Sequence, residues 1–225
     1  MTGRDAIFAT IKKSLQVAGD DRARRETVAV RLEKHPRGII PARGQKPKAE
    51  RTELFRQMVE HAKASIVMLD SKDDVPAAVA AYLRSKNLPQ SIRHGDDGRL
   101  SLIPWAKERT LEVTKGASDG AQLASVSYSF AGVAESGTLV MLSGADNPTT
   151  LNFLPDHHLV VVDERDIAGD YETIWDRLRE RFGANAMPRV VNWITGPSRS
   201  GDIEQTHLLG AHGPRSLHVL VVRNS

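Results

Sequence analysis

"HLVVVDERDIAGDYETIWDRLRERFGANAMPRVVNWIT", residues 158–195, decides the fold class. Leu159 to Val162 is a continuous, β-branched apolar run. Such a run has no polar face, so it reads as a strand buried on both sides. Tyr171 to Gly183 reads as a helix, with Gly183 placed to end it. Residues 189–195 ("RVVNWIT") read as a strand. Strand, helix and strand in this order predict an α/β protein.

The same alternation extends outward in both directions. Residues 65–70 ("SIVMLD") and 216–222 ("SLHVLVV") read as strands, as do 111–115 and two runs within 124–144. A helix is expected from about Asp73, with Pro76 tolerable in its first turn. The predicted fold is a mixed, largely parallel sheet flanked by helices. Upstream, Thr2 and Asp5 have capping-box spacing ahead of Ile7, Ile11 and Leu15. A second, very basic helix is expected over 20–34, then a Pro/Gly linker, then a helix over 49–62 with Leu54, Phe55, Met58 and Val59 inward. Residues 1–63 are therefore read as a helical N-terminal extension and 64–225 as the α/β domain.

Charge divides the same way. Residues 1–63 carry 15 Lys and Arg against 8 Asp and Glu; the remainder carries 16 against 20. A basic arm can contact nucleic acid, but this one has few aromatics and no recognisable motif, so a solvated helical face is preferred. No apolar run reaches the ~18 residues of a membrane helix. The N-terminal apolar residues are spaced rather than continuous, unlike a signal peptide. These features predict a cytoplasmic protein. There is no cysteine, which excludes disulfides, thiol catalysis and thiolate-ligated metal within this chain.

Four stretches could carry chemistry. "GPSRSGD" (196–202) has the glycine spacing of a phosphate loop, but Asp202 stands where the lysine is needed. It also misses the nucleophile elbow, since Ser200 replaces the second glycine. A Gly/Ser loop with Arg199 still suits a carboxylate or phosphate. Asp202, Glu204, His207 and His212 are metal-ligand types, but their spacing matches no metal motif; hydrogen bonding between loops is preferred. His212 and Arg215, in "GAHGPR", could recognise a carboxylate and move a proton. Glu135 interrupts an apolar stretch beside Gly137, so it is paired with an arginine (Arg199 or Arg215) or held for chemistry. Of His157 and His158, one should face the core and one the solvent. Sites in α/β folds lie beyond the carboxyl ends of strands. The loop after Ile194 and the turn around Glu135–Thr138 are expected there.

"AESGTLV", "LPDHHLVVV", "TGPSRSGDIE" and "GAHGPRSLHVLVV" together resemble the LUD domain of the lactate utilization protein C family, in the same order, with Ser136 replacing a more usual Thr. The resemblance implies a fold similar to CoA-transferases and sugar-phosphate isomerases. It also implies a role in oxidising L-lactate to pyruvate beside partner proteins that carry iron–sulfur clusters, with no cofactor in this chain. The motif residues carried over are Glu135, Gly137, Thr138, Pro155, His157, Gly196, Ser198, Asp202, Glu204, His212, Gly213 and Arg215. On this view Glu135 and His212 are the candidate catalytic groups. Thr138, Ser198, Arg199, Asp202, Glu204 and Arg215 are the candidate binding groups for a small carboxylate. Two other readings remain: a stand-alone transferase or isomerase-like enzyme with Glu135 as nucleophile or base, and a non-catalytic assembly subunit.

Overall fold

A computed structural model describes residues 2–16, 21–183, 186–201 and 207–224. The chain forms two compact units, Met1–Ile39 and Ile40–Ser225. The first holds α1 (Gly3–Ser14) and α2 (Arg22–Lys34). The Thr2–Asp5 capping box starts α1, and Asp21 caps α2. Neither helix has a buried residue.

The second unit opens with a 3-10 turn at Ala42–Gly44 and α3 (Lys48–His61). β1 (Ser65–Ser71), α4 (Val75–Ser85), β2 (Ser91–His94), α5 (Gly98–Ser101) and β3 (Glu112–Lys115) follow. β4 (Ala124–Tyr128) leads into a hairpin of β5 (Ala131–Val133) and β6 (Thr138–Leu142). After α6 (Thr149–Phe153) come β7 (His157–Asp163), β8 (Ile167–Ala168) and α7 (Tyr171–Phe182). β9 (Val191–Ile194), β10 (Arg199–Gly201), β11 (His207–Leu209) and β12 (Ser216–Asn224) complete the chain.

Six strands form a sheet in the order β1-β12-β7-β4-β2-β3, and every neighbouring pair is parallel. A second sheet has the order β8-β5-β6-β9, with β5–β6 and β6–β9 antiparallel and β5–β8 parallel, and β10–β11 form a separate antiparallel ribbon. β7 shows how the sequence sets the layers. Leu159 and Val161 join Val79 and Leu83 of α4 on one face; Val160 and Val162 join Phe55 and Val59 of α3 on the other. A strand with both faces covered can be apolar at every position, as residues 159–162 are. The second sheet packs its far side on α7 through Ile174 and Leu178.

Two sequence expectations change. First, α3, grouped above with the N-terminal extension, lies in the α/β unit, because Phe55 and Val59 are core residues. Second, the loop after Ile194 and the Glu135 turn do not extend the carboxyl ends of the parallel strands. Both belong to the second sheet, since β5, β6 and β9 pair there. The parallel strands end instead in a self-satisfied network. Arg99 binds Asp97 at 2.7 Å, reaches the Ser129 carbonyl at 3.0 Å and lies 4.1 Å above the Tyr128 ring. The Tyr128 hydroxyl donates to buried Asp163.

Asp170 ties α7 to the rest of the unit. It accepts from the Thr173 amide at 2.8 Å as N-cap, from the Thr173 hydroxyl at 3.0 Å and from Gln45 Nε2 at 2.8 Å. Asp170→Ala should cost about 2 kcal/mol, the upper range for a cap, because one buried carboxylate holds all three of these hydrogen bonds. Urea unfolding at pH 7 measures it; a loss below ~0.5 kcal/mol would show that the cap carries no weight.

Candidate functional site

The last turn of α3 is the floor of the site. The helix ends at His61, with Ala62 as C-cap and Lys63 in the left-handed region at φ 69°. Two glycines let other backbone approach this end. A Cβ on Gly137 would lie 2.5 Å from Val59 N, and one on Gly196 would lie 2.2 Å from the Ala62 oxygen. Arg199 follows Gly196 and donates to that same Ala62 carbonyl at 3.1 Å. A guanidinium there completes an orphan carbonyl and complements the negative end of the helix.

A third segment closes the site. Gly44 and Gly169 meet backbone to backbone, since a Cβ on either would lie 2.2 Å from the other's oxygen. This contact sets the 42–45 turn against Glu135 and so positions Arg43. The result is a cavity of about 450 Å³ lined by Arg43, Met58, His61, Lys63, Ser136 and Arg199, with Ala62 and Thr195 between them. Arg43, Lys63 and Arg199 come from three separate segments.

Glu135 lies behind Arg43. It is 3% exposed, and its amide donates to the Gly169 carbonyl at 3.2 Å. Its Oε2 stands 3.9 Å from Arg43 Nε. That is an ion-pair contact but too long for a hydrogen bond, and Oε2 has no hydrogen-bond partner among the described residues. The partner expected from sequence was Arg199 or Arg215. The structure gives Arg43 instead, because Arg199 turns to Ala62 and Arg215 lies 3.9 Å from Asp156.

Beside Glu135 four hydroxyls bind one another. Ser136, Thr138 and Tyr171 form a triangle with sides of 2.8 Å, and Thr195 joins Thr138 at 2.6 Å. Each hydroxyl owns one proton. Four contacts therefore use four protons, and the group keeps lone pairs but no spare donor. Thr138 thus joins β6, β9 and α7 rather than pointing a free hydroxyl at the cavity.

The remaining candidates are placed as follows. Ser198 joins the two Gly-Pro turns: its amide donates to Pro214 O at 2.8 Å, its carbonyl accepts from Gly210 at 3.1 Å, and its hydroxyl accepts from the His212 amide at 3.3 Å. His212 and Arg215 are exposed and do not line the cavity. Asp202 and Glu204 lie outside the described residues. His158 is fully buried and bonds Ser127 at 3.0 Å; His157 is half-buried and meets the Tyr82 hydroxyl at 3.0 Å. Sequence reasoning missed Arg43, His61 and Lys63. Lys63 had a signal, a residue just past the end of a predicted helix; Arg43 sat in a segment read only as linker.

A parallel α/β sheet backed by a second sheet, with a cation-lined cavity at the end of a helix, defines an α/β protein able to receive an anion. The model of the LUD domain matches residues 52–222, and the chain belongs to the LUD domain family. An uncharacterized protein of Neisseria meningitidis serogroup B is 32% identical over 151 residues, 65% of this chain and 64% of that protein. Lactate utilization protein C of Geobacillus thermodenitrificans is 30% identical over 146 residues, 60% of this chain and 61% of that protein. The matched region thus spans less than two thirds of these relatives. The crystal structure of a DUF162 family protein from Deinococcus radiodurans shares the fold, with a TM-score of 0.57 at 24% identity over 79% of this chain and 99% of that one. Among the described residues no helix is long and apolar enough to cross a membrane.

Proposed function

We propose that this protein serves lactate utilization as a cytoplasmic subunit, binding a small carboxylate in the Arg43–Lys63–Arg199 cavity. The names of several relatives support the pathway. The observation that carries the binding role is the meeting of three cations from separate segments around one cavity. A guanidinium can hold a carboxylate through two parallel hydrogen bonds. Oxidising L-lactate to pyruvate removes two electrons and two protons. Iron–sulfur clusters need thiolates, and this chain has none. In this reading the clusters sit in partner proteins, and this subunit holds the substrate. Arg199 keeps its proposed binding role. Arg215 and His212, on the neighbouring turn, would act only if that turn faces a partner.

Calorimetric titration of the full chain with L-lactate tests the reading. Arg43→Ala should weaken binding about 10-fold or more, the usual loss for a charge-assisted hydrogen bond. Unchanged affinity would remove the cavity as the site. The buried Oε2 of Glu135, which accepts no hydrogen bond among the described residues, favours one second reading, a stand-alone acyl- or phosphosugar-handling enzyme with Glu135 as nucleophile or base. Turnover by the purified chain without partners would select it.

A further inference from the structure

The geometry points to a second ligand site in the α/β unit, a cavity that takes a phosphoryl group through Arg51 and Arg177. The cavity holds about 280 Å³ and shares no lining residue with the Arg43 cavity. Lys46 reaches it from the turn before α3, Arg51 from α3 and Arg177 from α7. The Gly44–Gly169 backbone contact forms part of its wall.

Arg51 carries the argument. It is half-buried, and its guanidinium makes no hydrogen bond or ion pair among the described residues. A guanidinium keeps its charge at every working pH. Drawn partly out of water without an acceptor, it gains most from an anion. Arg177 is also half-buried. It gives one N–H to the Asp166 carbonyl at 3.1 Å and has no other protein acceptor among the described residues. Lys46 stands 3.4 Å from Glu50 in an exposed pair, which water screens and a ligand can open. The carboxylate in the wall, Asp170, is buried and already accepts from the Thr173 amide, the Thr173 hydroxyl and Gln45.

The lining tells the two cavities apart. Met58 and Ala62 give the Arg43 cavity an apolar side for the carbon body of an organic acid. Here Ala168 is the only apolar side chain among the lining residues. Pockets for organic ligands are mostly apolar, so this wall suits a charged group alone. A phosphoryl group offers acceptor oxygens in three directions, to match cations from three segments; a carboxylate offers its two in one plane. The group is free inorganic phosphate, or the phosphoryl end of an organic phosphate whose remainder lies outside. The competing role for Arg51 is a solvated surface cation, whose removal would change no affinity.

Calorimetric titration of the full chain with inorganic phosphate, glycerol 3-phosphate and acetate, at fixed ionic strength, tests the site. At least one phosphate should bind, and acetate about 10-fold or more weakly. The tighter of the two phosphates identifies the source. Arg51→Gln should weaken phosphate binding about 10-fold or more, the usual loss for a charge-assisted hydrogen bond. The loss should not follow Arg43→Ala, which changes the other cavity. Urea unfolding checks that Arg51→Gln is folded; should it not be, Arg177→Gln reads the same loss from a different helix. Binding that survives Arg51→Gln, or that disappears with Arg43→Ala instead, overturns the inference. So does acetate binding as tightly as phosphate, or binding of neither phosphate. A chain that binds phosphate but not L-lactate keeps this inference and loses the lactate reading; the reverse result loses this one alone.

Discussion

Gly137→Val should detach the Glu135 turn from α3, at a cost on the order of 4 kcal/mol or more, and abolish ligand binding. The turn residue sits at φ 69°. A β-branched side chain is strained there before any contact is counted. A Cβ would also stand 2.5 Å from Val59 N and 2.6 Å from Met58 C. Those are backbone atoms of a helix whose Phe55 and Val59 are core, so they cannot yield without disturbing the packing. Urea unfolding and lactate titration together read the result. Gly98→Val is the control, since nothing lies within 4 Å of its Cβ position. A Gly137→Val protein within ~1 kcal/mol of wild type would show that the close approach is not required.

Acid should destabilise the fold through two buried imidazoles. Burial depresses His158 from 6.5 to about 3. It depresses His218 to about 4, with Lys86 adding a smaller push the same way. Unfolding returns both to ordinary values, so between pH 6.5 and about 4 the unfolded chain binds more protons. The stability they contribute is complete above pH 6.5 and is lost as pH falls toward their folded values. At pH 5 the two together should cost about 4 kcal/mol, at ~1.4 kcal/mol per unit for each. Burial raises Asp166, with Asp163 adding to the effect; this group gains protons on folding and offsets part of the loss. His218→Phe removes one titrating group and keeps an aromatic ring on Tyr82, which His218 now stacks on at 4.4 Å. Urea midpoints between pH 7 and 5 should then fall less steeply, the slope that remains belonging to His158 and to His94 and His157, which burial also lowers. An unchanged slope would move the effect to other groups.

The strands that carry the core were readable because they are apolar at successive positions. β1, β4, β7 and β12 fall where the sequence places them, and α3, α4 and α7 follow from helical spacing with Pro76 and Gly183 as punctuation. β2, read as "SIRH", was not readable: four residues with one buried aliphatic carry no period. The β10–β11 ribbon hid inside a polar stretch because its strands are three residues each. Glu135 and Arg199 were singled out by being charged in unusual surroundings; Arg199 lines the cavity, and Glu135 lies behind Arg43, which also lines it. Their neighbours Arg43 and Lys63 looked ordinary in sequence. What brings them in is the backbone contact of Gly44 with Gly169 and the left-handed turn after α3, and both are tertiary facts.

The order of the parallel sheet bears on when it can assemble. β12 is the last of the described strands, yet it lies between β1 and β7, pairing Ser65 with His218 and Ser216 with His157. On the ribosome, β1 and β7 emerge long before the strand that joins them. Until it arrives, each shows an unpaired edge, and the two halves of the main sheet have no shared ladder. Contacts this distant in sequence are slow to form. Pairing of β12 is thus the step that joins β1 to the rest of the main sheet.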